Sequence, residues 1–313
     1  MESSSAAPYT TFNNGVKFPS IGLGTFASSE GDCKTVVVDA ILNKGYRHID
    51  TASVYKNEGA IGDALEEVFA SGKVKREDVF ITTKLWQDER EDVEGAVRRS
   101  LAKLKVDYID LYLIHWMSPK LVWEDGKDFI KNTPTHKVWA ELERLVDAGL
   151  IKSIGVSNAN VTVILDLWSY ARIKPVANQI ELHPYLVQNE LVGFFEKLGI
   201  KLIAYAPLSA SGWSLRDEKL KDINLLEEPV IKAIAAKHDK KPAQVILNWH
   251  LKRGHVIIPK TTKVERLAEN FQVFDFTLSE EEYKQITALD RNARLYNPKH
   301  IDGFGWNSIP YFD

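Results

Sequence analysis

The sequence predicts an α/β protein of the TIM, or (β/α)8, barrel type, on three observations. Short apolar, β-branched segments alternate with amphipathic helical ones at about thirty to forty residues, the size of one βαβ unit. Asp50, Lys84 and His115 stand at the ends of three consecutive predicted strands, with Tyr55 just past the first, and catalytic groups of such barrels gather from the C-terminal ends of several strands. Finally, 313 residues with 44% hydrophobic and 27% charged content suit a single domain, 1–313, around one large core.

The elements follow in order. Asn13-Asn14-Gly15 supplies the positive φ angles of a tight turn, so residues 11–18 read as a β-hairpin capping one end of the barrel. An extended segment at 20–24 leads to helix 33–44, strand 46–49, helix 60–69, strand 79–83, helix 93–104 and strand 109–114. The second half supplies helix 135–148, strand 153–156, helix 161–170, strand 176–179, helix 190–197, strand 201–205, helix 242–252, strand 255–258 and helix 264–271. Continuously apolar strands of this kind are buried on both faces. Three stretches break the repeat: 116–134, 206–227 and 290–313. The first two follow strand C-termini and should overhang the active-site mouth. The tail carries Tyr296, Phe304, Trp306, Tyr311 and Phe312 and is expected to pack on the body, as a substrate loop.

A doubly wound dinucleotide fold would place G-x-G-x-x-G after the first strand. Gly22-Leu23-Gly24 supplies half of it, and Ala27 stands at the third glycine position. A net charge of −3 and a pI near 6.3 give no general attraction for nucleic acid or anionic membrane. Cys33 is the single cysteine, which excludes an intrachain disulfide or cysteine metal cluster, and the eight histidines include no paired ligand motif at strand ends, so no metal is expected. No apolar run is long enough for a bilayer, and residues 1–8 do not resemble a leader, so a cytoplasmic protein is expected.

Taken singly, a lysine or histidine at a strand end is usually structural; the joint pattern points to chemistry. Tyr55 is the candidate general acid. An ammonium about 4 Å from its oxygen is worth about 4 kcal/mol at an effective dielectric of about 20. Lys84 is therefore expected to lower the tyrosine pKa by about 2–3 units, Asp50 to hold Lys84, and His115 to orient a carbonyl oxygen. No side chain delivers a hydride, so a nicotinamide is implied. Ser157, Asn158 and Gln179 could hold its carboxamide and Tyr205 could stack its ring; an N-cap and core filler are the competing readings. Lys260, Thr261, Thr262, Arg266, Glu269 and Asn270 follow the last strand, where barrels bind phosphate, and two cations there favour NADPH over NADH, with NADH a secondary donor.

These residues resemble the aldo-keto reductases. The resemblance rests on Gly22-Leu23-Gly24-Thr25, on Gly45-Tyr46-Arg47-His48-Ile49-Asp50-Thr51-Ala52 with Tyr55, and on the Lys84 and His115 strands. Gly155-Val156-Ser157-Asn158 and the segment from Pro259 to Asn270 complete it, so it spans essentially the whole chain. It implies NADPH-dependent reduction of aldehydes, including open-chain sugars, by a monomer or weak homodimer acting on a small carbonyl substrate. By that resemblance Tyr55 is the proton donor, tuned by Lys84 and Asp50, with His115 positioning the carbonyl. Gly24, Thr25, Asp50, Ser157, Asn158, Gln179 and Tyr205 bind the cofactor, with Ala206, Pro207, Leu208 and Ser209 closing over the pyrophosphate. Lys260, Thr261, Thr262, Arg266, Glu269 and Asn270 hold the adenosine phosphate.

The implied substrate wall is Phe26, Tyr55, Trp86, His115, Trp116 and Tyr296, with Trp123 a further aromatic. Phe26 replaces a tryptophan common in the family, and Met117-Ser118 stands where proline is commoner. Arg294-Leu295-Tyr296-Asn297-Pro298 resembles the xylose reductases, but on a Pro298 alignment Tyr296 replaces a substrate-contacting asparagine. The alternatives are a ketone or ketosteroid reductase on the same fold and a non-enzymatic cofactor-binding barrel subunit.

Overall fold

The computed structural model describes residues 7–118, 120–124, 127–131, 133–209, 223–297 and 311–312, with backbone alone for 120–131. Eight parallel strands run in the order β3 (Leu23–Gly24), β4 (His48–Asp50), β5 (Phe80–Leu85), β6 (Ile109–Ile114), β9 (Ile151–Ser157), β10 (Ala177–Glu181), β11 (Lys201–Tyr205) and β12 (Val256–Ile257). Parallel bridges Ile21↔Ile257 and Gly24↔Lys260 join the last strand to the first, closing the sheet into a TIM barrel.

The hairpin β1 (Tyr9–Thr11) and β2 (Lys17–Pro19) plugs the N-terminal end. Its strands lie slightly outside the predicted 11–18 because the turn spans five residues, with Phe12 N–H on the Val16 carbonyl and Gly15 at φ +85°. Phe12 and Phe18 enter the barrel against Phe80, Leu111, Val176, Ile203 and Val256. Apolar rings thus seal the floor, and polar groups at strand ends gather at the opposite mouth.

Helices α1 (Glu30–Asn43), α2 (Glu58–Ala70), α3 (Val93–Leu104), α4 (Thr135–Asp147), α5 (Val161–Tyr170), α6 (Asn189–Lys197), α8 (Pro242–Lys252) and α9 (Val264–Phe271) follow the predicted positions, four of them with the predicted bounds. The sequence reading missed three elements: α7 (Pro229–Lys237), α10 (Glu280–Thr287) and the antiparallel hairpin β7 (Lys120–Glu124) with β8 (Lys127–Lys131). Each had a local signal. Pro229 occupies the first turn of α7. Ser279 and Glu282 form a reciprocal capping box on α10. Asp125-Gly126 is a hairpin dipeptide in the sequence. The missed elements lie outside the eightfold repeat, and α10 has little apolar periodicity to advertise it.

The described parts of the tail pack on the body as expected. Phe304, Trp306 and Pro298 lie outside the described residues, as does the Trp123 side chain.

One packing contact has a direct consequence for stability. A Cβ placed on Gly62 of α2 would fall 2.0 Å from the backbone oxygen of Lys103 at the end of α3. Backbone cannot swing aside as a side chain can, so the steric cost should exceed the helix-propensity gain of about 1 kcal/mol from alanine. Gly62→Ala is therefore expected to destabilise by about 1–3 kcal/mol, read as a lower urea midpoint; an unchanged midpoint would show that the two helices can separate.

Candidate active site

The parallel register brings the predicted quartet together. Asp50 lies opposite Thr82, and Lys84 opposite Leu113, two residues before His115. Lys84 is fully buried and points inward; its Nζ donates to Asp50 Oδ1 and to the Thr51 carbonyl, both at 2.7 Å. From across the barrel, Gln179 Nε2 donates to Asp50 Oδ2 at 2.7 Å. Both carboxylate oxygens are thus engaged, as a buried charge requires.

Tyr55 ends a single 3-10 turn, Ser53–Tyr55, which presents its ring to the mouth. The ring centre lies 5.0 Å from Lys84 Nζ, 5.0 Å from the Phe26 ring and 5.7 Å from the His115 ring. His115 in turn meets Trp86 edge-on at 5.0 Å. Glu89, which the sequence reading passed over, steadies this corner: its Oε2 accepts from Ser53 Oγ at 2.6 Å and from the Trp86 amide at 3.1 Å.

The electrostatics correct one expectation. The Tyr55 phenol is pushed up, not down, first by burial and then by the Asp50 charge. The Lys84 ammonium is engaged by Asp50 Oδ1 and the Thr51 carbonyl and does not reverse this direction. Burial also pulls the Lys84 pKa down and the Asp50 pKa up, while their mutual attraction opposes both shifts. His115 is held well below the usual imidazole range by burial and then by the Lys84 charge, so it is neutral. Its buried Nδ1 has no hydrogen-bond partner among the described residues. The corner therefore offers a protonated phenol and a neutral imidazole.

The same cavity, of about 660 Å³, runs on to the last strand. It is lined by Gly24, Thr25, Phe26, Asp50, Tyr55, Trp86, His115, Trp116, Ser157, Asn158, Gln179, Tyr205 and Tyr296, then by Ala206, Pro207, Leu208, Ser209, Lys260, Thr261, Thr262 and Arg266. The same wall includes Ala27 and Val54, which the sequence reading missed, and Ile258, Pro259 and Lys263 from the segment that it singled out. Glu269 and Asn270 do not reach it: Glu269 pairs with Lys241, and Asn270 is buried in α9.

The polar strip at the ends of β9 and β10 is fixed by its own bonds. Ser157 Oγ donates to the Gln179 carbonyl at 2.8 Å, Asn158 Nδ2 to the His115 carbonyl at 3.1 Å, and Tyr205 Oη to Asn158 Oδ1 at 2.9 Å. On the following loop, the Pro207 carbonyl meets His250 Nε2 at 3.2 Å, a contact that no local motif announced. Aromatic side chains beside amide groups, together with Lys260, Lys263 and Arg266, are the donor set a nicotinamide dinucleotide needs. The residues present fit that cofactor.

A closed barrel with this mouth defines a barrel oxidoreductase, and the comparisons agree. The chain matches the model of the Aldo/keto reductase family over residues 20–291. It is 45% identical over 306 residues to aldo-keto reductase family 1 member A1 of Mus musculus, covering 93% of this chain and 92% of that protein. The Gallus gallus protein of the same name is 44% identical over 309 residues, covering 94% and 92%. Among solved structures, the aldose reductase from Schistosoma japonicum superposes with a TM-score of 0.85 at 38% identity, covering 96% of this chain and 99% of that one. The chain belongs to the aldo/keto reductase family and is an oxidoreductase of its nicotinamide-dependent kind. Among the described residues no helix is long and apolar enough to cross a membrane.

Proposed function

We propose that this chain reduces aldehydes, open-chain aldoses and sugar derivatives among them, to alcohols with NADPH as the preferred donor. The observation that carries the reading is one continuous cavity with Tyr55 and His115 at its aromatic end and Lys260 and Arg266 at its cationic end. When bound, the nicotinamide supplies the hydride. Tyr55 gives its phenolic proton to the carbonyl oxygen, and Asp50 and Lys84 form the buried charge pair behind it. His115, neutral and held by Trp86, points the carbonyl at both. Ser157, Asn158 and Gln179 would hold the carboxamide, Tyr205 would stack the ring, and Gly24, Thr25 and residues 206–209 would hold the pyrophosphate. Lys260, Thr261, Thr262 and Arg266 take the adenosine phosphate. Phe26, Trp86, Trp116 and Tyr296 enclose the substrate and exclude water. The setting is cytoplasmic, and the working unit a monomer or weak homodimer.

Initial rates of nicotinamide absorbance loss, with NADPH and NADH against glyceraldehyde, xylose, uronic acids, aromatic aldehydes and ketones, test the reading. Aldehydes with NADPH should give the highest kcat/KM; faster turnover of ketones would favour the alternative substrate class. Arg266→Ala should remove a charge-assisted contact worth roughly 1.5–3 kcal/mol and raise the KM for NADPH tenfold or more. The KM for NADH should move much less. An equal rise for both would place Arg266 on the shared pyrophosphate.

A further inference from the structure

The reaction uses Asp50 as its buried carboxylate; a second one, Glu181, lies beside the same mouth with no part in that chemistry. Glu181 ends β10 and its side chain is fully buried. Its hydrogen-bond partners among the described residues belong to the chain itself rather than to a reactant. Oε1 accepts from the Leu295 amide at 2.8 Å and lies 2.8 Å from His183 Nε2. Oε2 accepts from the Tyr296 amide at 2.9 Å. The loop that follows Glu181 continues the attachment. The Tyr185 carbonyl accepts from the Arg291 and Ala293 amides at 3.2 and 2.9 Å. Asp290 Oδ1 accepts from the Val187 amide at 3.3 Å. Gln188 spans both sides, its Nε2 donating to the Glu181 carbonyl at 2.7 Å and its Oε1 accepting from Arg294 at 2.9 Å.

We infer that Glu181, held by His183, is a positioning residue that sets substrate selection by fixing Tyr296 in the pocket. The chain of contact is short. The Tyr296 ring meets the Tyr205 ring edge-on at 5.4 Å and the Phe26 ring at 6.5 Å, and Phe26 packs on Tyr55. Two amides of consecutive residues held by one carboxylate leave the backbone at Tyr296 little freedom, so its ring is presented at one depth. A carboxylate suits this task because it is acceptor-only when ionised, matching two N–H groups and an imidazole N–H at once. Glutamine would place a donating NH2 against a donor and lose one of these bonds. The inference rests on the proposed aldehyde reduction only for its kinetic readout.

The test compares Glu181→Gln, Tyr296→Ala and the double variant in the full chain. Hydrogen exchange of the peptide spanning Leu295 and Tyr296, with no substrate present, should speed up in Glu181→Gln while peptides of β4 to β6 stay protected. The KM for a bulky aromatic aldehyde should rise roughly tenfold, equivalent to about 1.4 kcal/mol, with kcat for glyceraldehyde and the dissociation constant for NADPH within about twofold. In the Tyr296→Ala background, Glu181→Gln should add no further change in KM, since residues acting through one another are not additive. Unchanged exchange at 295–296 in Glu181→Gln would overturn the clamp whatever the chain's activity. Additive KM effects would overturn its action through Tyr296. Failure of the parent chain to turn over any aldehyde would instead count against the proposed function, and leave the exchange result to judge the clamp.

Discussion

Tyr55→Phe is expected to lower kcat by about two to four orders of magnitude, the usual worth of a positioned proton donor, with NADPH affinity retained. The ring stays because it is packed by other rings, Phe26 at 5.0 Å and His115 at 5.7 Å, and these contacts do not use the hydroxyl. Only the proton is removed. Fluorescence titration with NADPH against single-turnover rates separates the two quantities, and comparable turnover by the variant would remove Tyr55 from the mechanism. The protonation states carry a companion expectation. Tyr55 is pushed up and His115 well down, so neither should titrate in the ordinary range. The pH profile of kcat/KM should therefore lack a limb from either group between about pH 6 and about pH 9. If a limb appears in this range and vanishes in Tyr55→Phe, the cofactor-loaded site must pull the phenol down.

Lys84→Met is expected to be the most destabilising single change at the mouth, about 3–5 kcal/mol, because it strands the buried Asp50 carboxylate. Gln179 would be the remaining partner of that carboxylate among the side chains now seen to hold it. The pH dependence has a definite sign. Burial already holds the folded pKa of Asp50 above its unfolded value of about 3.9, and losing the ammonium raises it further. Stability present at low pH is then lost as pH rises through the folded pKa, so the deficit is full at neutral pH and shrinks towards about pH 4. Urea unfolding at several pH values reads this directly. Adding Asp50→Asn should recover much of the stability without restoring turnover; a double variant as unstable as Lys84→Met would show that packing, not charge, is what Lys84 contributes.

The strand-end residues were legible because a buried parallel strand is continuously apolar, so a lysine or histidine at its end interrupts a pattern. Asp50, Lys84 and His115 all stood out in this way, and all three line or support the cavity. The phosphate-end loop was legible for a similar reason, since Lys260 to Thr262 follow an apolar strand. Glu269 and Asn270, one turn further along α9 than Arg266, are not among the residues that line the cavity, and Glu269 pairs with Lys241 instead. Glu181 was the opposite case. It sits in the same strand as Gln179, but the two amides it accepts from lie more than a hundred residues away in the tail. No local pattern in Leu295-Tyr296 announces that their amides need an acceptor.

By itself, the sequence determined the barrel, the end of it that carries chemistry, and the set of residue types gathered there. Periodicity and strand-end chemistry are local properties, and a parallel barrel converts them into position with little further information. The tertiary structure alone decided the protonation states and the reach of the tail. Desolvation is summed over everything packed around a group, so the Tyr55 phenol rises although a lysine lies nearby. Tyr296 enters the pocket because a carboxylate more than a hundred residues earlier in the chain takes its amide, a contact that exists only once the chain has closed on itself.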